Sequence, residues 1–131
     1  MIGGAMHRTT LAGLGAVAAT VVAVGIAAPA QAASKSVTLT NPSGGAHAVL
    51  HWDDTYDTLC LTLKSTAASA YADADMSLTD GTHFHHLRVT RSKTRDCTGN
   101  LSIPEDRAAQ MSVNGGTNSF HRTSGWVGFF T

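Results

Sequence analysis

Tyr71-Ala72-Asp73-Ala74-Asp75-Met76-Ser77-Leu78-Thr79-Asp80-Gly81-Thr82-His83-Phe84-His85-His86-Leu87-Arg88-Val89-Thr90 decides the fold. Two runs of alternating character flank Asp-Gly, the dipeptide that most strongly marks a tight β-hairpin. A two-residue type I′ loop at Asp80-Gly81 sets Thr79 opposite Thr82. Ala72 then faces Val89, Ala74 faces Leu87, Met76 faces His85 and Leu78 faces His83. On the other side Tyr71 faces Thr90, Asp73 faces Arg88 and Asp75 faces His86. This register collects apolar residues on one face and complementary charges on the other. A slip of one residue would mix them, so the register is strongly specified.

Working outward, short alternating or apolar runs recur between turn residues, and helix signals are nearly absent. Strands are expected at 36–40, 47–52, 59–66, 71–79, 82–92, 108–114 and 125–131, with turns at 41–45, 53–57, 80–81 and 114–116. Pro104-Glu105-Asp106 suits the start of a single helical turn over 104–109. Leu59, Leu61 and Leu63 point one way, and Cys60, Thr62 and Lys64 the other. By the same rule His47, Val49 and His51 share the face opposite Leu50 and Trp52. The small residues Ala70, Ala72 and Ala74 leave room for Trp52, Trp126, Phe129 or Phe130 from a facing layer. The expected architecture is all-β: a small antiparallel β-sandwich or barrel of about seven strands, preceded by an N-terminal signal helix.

That leading segment addresses the chain out of the cytoplasm. His7-Arg8 precedes an apolar run of eighteen residues, Leu11 to Ala28, and then Pro29-Ala30-Gln31-Ala32-Ala33. A basic start, an apolar stretch and an A-x-A site mark a secretory signal peptide. Ala30 and Ala32 take the two small-residue positions, so cleavage is placed between Ala32 and Ala33. A retained anchor is the competing reading, because the run approaches the length of a membrane span. Its Ala/Gly/Val composition and Pro29 favour a cleaved signal. Residues 1–32 are thus read as signal peptide and 33–131 as one secreted β domain. The membrane enters only through the export signal.

After cleavage eight bases stand against nine acids, which gives no electrostatic footprint for nucleic acid. The charges are nevertheless segregated. Six aspartates and a single base, Lys64, lie between Asp53 and Asp80; Arg88, Arg91, Lys93 and Arg95 form a run without acids. Pairing across a sheet accounts for both. Cys60 and Cys97 are the only cysteines, and in an exported chain such a pair is expected to form a disulfide. Closing that loop would contribute roughly 4 kcal/mol in the chain-entropy description.

Candidate chemistry is sparse. His83 and His85 share a strand face, as do His47 and His51, and two such pairs on neighbouring strands would suit Zn or Cu. His86 reads as the partner of Asp75, and His121 falls in a polar loop. Asp53, Asp54 and Asp57 form an acidic turn without the Gly and distal Glu of an EF-hand. No G-x-S-x-G elbow, P-loop, H-E-x-x-H or dinucleotide fingerprint occurs. The reading is therefore not an enzyme, with no catalytic residues and no cofactor.

The export signal ending Ala30-Gln31-Ala32-Ala33, the run Asp57-Thr58-Leu59-Cys60-Leu61-Thr62-Leu63, the stretch Tyr71-Ala72-Asp73-Ala74 and Asp80-Gly81 together resemble small uncharacterised secreted proteins of Streptomyces-type actinomycetes. The resemblance implies a Gram-positive exported protein and carries no catalytic residues over. Three function classes follow. The first is a non-catalytic extracellular or cell-wall-associated binding module, a monomer with a protein or wall ligand. The second is a secreted inhibitor or toxin presenting 91–101 around Cys97, although the second disulfide of subtilisin-inhibitor-like proteins is missing. The third is a metal-binding protein using His47, His51, His83 and His85. Amino-terminal sequencing of the protein recovered from culture supernatant is expected to begin at Ala33; full-length chain recovered only from membranes would establish the anchor instead.

Overall fold

The structure is a computed structural model that describes residues 32–131. The export segment up to Gln31, including Ala30, lies outside the described residues. Among the described residues there is no helix, and hence none long and apolar enough to cross a membrane. Nine strands are present: β1 Lys35–Thr40, β2 Ala46–Asp53, β3 Thr58–Leu63, β4 Tyr71–Leu78, β5 His85–Thr90, β6 Arg95–Cys97, β7 Ala108–Gly116, β8 His121–Thr123 and β9 Val127–Phe130. They build two antiparallel sheets rather than a closed barrel. One sheet has the order β1-β2-β3-β6. The other runs β5-β4-β7, with β8 and β9 sharing the far edge of β7.

Alternation sets the core. Leu59, Leu61 and Leu63 point inward from β3, Leu50 and Trp52 from β2, and Ala72, Ala74 and Met76 from β4, all buried. Trp52 and Phe129 meet between the layers with ring centroids 5.8 Å apart. Trp126 and Phe130 do not join them; both fall on the outward parity of β9 and are 55% and 38% exposed.

The hairpin register is the expected one from Tyr71 opposite Thr90 to Met76 opposite His85. Arg88 donates to both carboxylate oxygens of Asp73, at 2.9 and 2.8 Å, and His86 Nδ1 lies 2.7 Å from Asp75 Oδ1. The turn differs. Leu78 N–H bonds Thr82 O, and Gly81 N–H bonds Leu78 O, which closes a three-residue loop. Gly81 has φ +87° but Asp80 stays out of the left-handed region. The Asp80 carboxylate instead accepts from the Thr82 N–H and hydroxyl, favouring the three-residue form over type I′. Leu78 consequently faces Thr82, not His83. His83, at φ +54°, is an extra residue on the β5 side that restores the register by Met76.

Three further expectations are corrected. Residues 114–116 are not a turn: Gly115 and Gly116 continue β7 and pair with Ala72 and Tyr71. A Cβ on Gly115 would sit 2.8 Å from Ala72 Cα, so bare backbone is what lets the strands approach. Residues 104–109 form no helical turn: Glu105–Asp106 make a turn, with Asp106 at φ +55°, and Ala108 and Ala109 already belong to β7; the turn is held by the buried Thr131, whose hydroxyl donates to Pro104 O. His121 lies in β8 rather than a loop.

A urea denaturation series checks this layering. Leu87→Ala is expected to cost about 2–5 kcal/mol through cavity formation. Gly115→Ala should cost about 1–3 kcal/mol through overpacking. Asp73→Ala, which removes a surface ion pair, is expected to cost about 0–1 kcal/mol.

Candidate functional site

The outward face of β1-β2-β3-β6 is built by the same alternation that fills the core. Ser36, His51, Cys60 and Cys97 stand in one row across the four strands, and Thr38, Val49, Thr62 and Arg95 in the next. Cys60 and Cys97 are bonded across β3 and β6, their Cα atoms 4.1 Å apart. They occupy a non-hydrogen-bonded pair, since the flanking bonds run from Thr98 N to Leu59 O and from Leu63 N to Thr94 O. That is where antiparallel strands bring side chains closest. The bridge fastens a three-residue edge strand whose own ladder is short.

Ser36, Val49, His51, Asp53, Thr58, Cys60, Thr62, Lys64 and Arg95 enclose an open depression of about 360 Å³ on this face. Its polar groups are only partly committed to one another. The Ser36 hydroxyl lies 2.6 Å from His51 Nδ1, fixing the ring and leaving Nε2 without a protein partner among the described residues. Arg95 reaches back over the bridge, with Nη1 3.4 Å from the Thr62 hydroxyl and Nη2 3.6 Å from Cys60 Sγ. Asp53 accepts from Thr55 N–H at 2.9 Å, so it caps the β2–β3 turn and makes no hydrogen bond to His51. The Ser36–His51 pair therefore lacks the third group that orients a catalytic imidazole.

The four histidines considered for metal do not converge. His51 lies on the outer face of β2. His47 was expected beside it, but β2 carries an irregularity there: Leu39 faces Ala48 while Thr40 faces Ala46. The extra residue breaks the alternation and turns both His47 and Ala48 inward. His47 is fully buried, its Nε2–H donating to Tyr71 O at 2.9 Å and its ring edge-on to Phe120. His85 opens β5 of the other sheet and His83 lies just before it, and among the described residues no three His, Cys, Asp or Glu side chains are grouped to hold a metal ion.

His85 faces buried Met76, with Nε2 enclosed and unpartnered among the described residues. Burial, and then the charge on neighbouring His83, hold its imidazole below the ordinary 6.5. Sequence inspection did not single out Arg95, because a basic run reads as surface; the bridge and the Thr62 register bring it into the depression. Comparison with family models, curated proteins and solved structures finds no match to this chain.

The His85 shift has a defined sign. A histidine whose folded value is depressed favours the folded state above its unfolded value and loses that contribution as the pH falls. Stability is thus expected to decline below pH 6.5. NMR titration should place the His85 midpoint under that value, and His85→Leu should flatten this part of the stability profile.

Proposed function

We propose that this chain is a secreted, non-catalytic binding module for an extracellular or cell-wall ligand, acting as a monomer. The depression on the outer face of β1-β2-β3-β6 carries the reading, because it gathers uncommitted polar side chains on a stiff, disulfide-braced floor. A rigid surface of this kind binds without the ordering cost of a mobile loop. The disulfide accords with an oxidising location outside the cell. The inhibitor reading draws less support. Its candidate segment, 91–101, contributes β6 to the sheet instead of standing clear as a loop.

Co-sedimentation with isolated Gram-positive cell walls tests the proposal. The folded domain is expected to pellet with them. Thr62→Trp, which fills the depression, should release it, whereas Gln110→Trp, on the outer parity of β7, should leave binding intact. Equal loss in both variants would show that the depression is not the binding face.

A further inference from the structure

The ion pairs of the molecule are unevenly placed. Asp73 takes Arg88, Asp75 takes His86, Asp80 takes Arg107 and Asp96 takes Lys93. Asp73–Arg88 joins the acidic segment to the basic run, and two cations without an ion-pair partner among the described residues share the outer face of β1-β2-β3-β6. Among the described residues Lys64 has no ion-pair partner. Arg95 has only its long contacts to Thr62 and Cys60. Both line the depression with His51, against a single carboxylate, Asp53, which is engaged in its own turn. A second open depression, beside Tyr71 and Ser69, lacks this character. Its Arg88 is held by Asp73 and lies over the Tyr71 ring, and its Arg91 donates to Ser65 O.

We infer that the depression binds the phosphodiester groups of an anionic polymer; this rests on the binding-module reading above. A guanidinium fork, an ammonium and an imidazole nitrogen suit an oxyanion with several acceptor oxygens. The hydroxyls of Ser36, Thr58 and Thr62 add neutral hydrogen-bonding groups along the same surface. Shape selects a polymer over a free ion. The depression crosses the four strands from β1, at Ser36, to β6, at Arg95, three inter-strand steps or about 14 Å, which is longer than one phosphate. Both outer strands are sheet edges, so an extended ligand can enter at one side and leave at the other. Val49, in the floor, gives the carbon backbone of such a chain an apolar contact.

The test compares walls that retain their phosphodiester polymers with the same walls stripped of them by hydrofluoric acid. Calorimetry with soluble poly(glycerol phosphate) and with inorganic phosphate runs alongside. Binding is expected to intact walls and to the soluble polymer, to be lost on stripped walls, and to be weaker for inorganic phosphate. Arg95→Gln and Lys64→Gln should each weaken polymer binding about tenfold or more, since each removes a charge-assisted donor. Arg122→Gln, a charge removal on β8 outside the depression, should change it less than about twofold. Circular dichroism and the intact disulfide mass establish that each variant is folded. Equal binding to intact and stripped walls would overturn the phosphodiester inference while leaving the binding module standing. Binding to neither would overturn both. An Arg122→Gln loss as large as that of Arg95→Gln would overturn the localised site in favour of diffuse charge attraction.

Discussion

Trp52 meets Phe129 across the gap between two sheets, and the rest of the molecule is arranged so that this gap stays dry. A β-sheet has two faces, and alternation obliges every strand to commit one of them to the interior. Leu59, Leu61 and Leu63 do so from one layer, and Ala72, Ala74 and Met76 from the other. The small alanines matter as much as the large residues. Two facing layers fill the space between them by setting small side chains against large ones. The exterior inherits its pattern from the same rule, because each inward leucine of β3 forces Cys60, Thr62 or Lys64 outward.

Alternation was legible in the sequence wherever it was unbroken. The Asp73–Arg88 and Asp75–His86 pairs and the outward Cys60 follow from counting by two, and its bridge to Cys97 from there being just two cysteines in a chain read as exported. What escaped the reading lies where the count is interrupted. His47, Val49 and His51 look like one clean face, yet a single extra residue sends His47 into the core, where Tyr71 O satisfies its Nε2–H. No residue type announces that irregularity, since it depends on how β1 meets β2. At Asp80-Gly81 two opposite irregularities cancel: the loop takes one residue more than expected, and His83 puts the register back. Gly115-Gly116 reads locally as a turn and acts as strand because its neighbour comes too close for a Cβ.

The depression on the outer face was not visible as a motif, because its members come from four strands and 60 residues of chain, Ser36 to Arg95. Its chemical character comes from Lys64, Arg95 and His51 on one outer face. Asp73 and Asp75 take the bases they face on β5 and Asp80 takes Arg107, whereas Lys64 and Arg95 are set on the opposite layer with only the turn-capping Asp53 among the lining carboxylates. Charge segregation along the chain thus becomes segregation between the two outer surfaces. Each surface carries a different part of the molecule's electrostatics, although the net charge is close to zero.

The segment between β5 and β6 also closes a side of the sandwich. Thr90 and Lys93 exchange backbone hydrogen bonds, the Asp96 carboxylate accepts from Arg88 N–H at 3.2 Å, and Arg95–Cys97 then pairs with β3. Burial works to raise the Asp96 carboxyl, but the hydrogen bonds from Lys93 and Arg88 outweigh it and hold the group below its ordinary value. The carboxylate therefore stays an acceptor well into acid. One stretch of chain occupies the open flank of both sheets at once, where unpaired N–H and C=O groups would otherwise recruit a foreign strand. Reducing the bridge would free the short β6 and bare the flank of β3. For this domain the oxidised bond is thus a safeguard against aggregation as well as a brace.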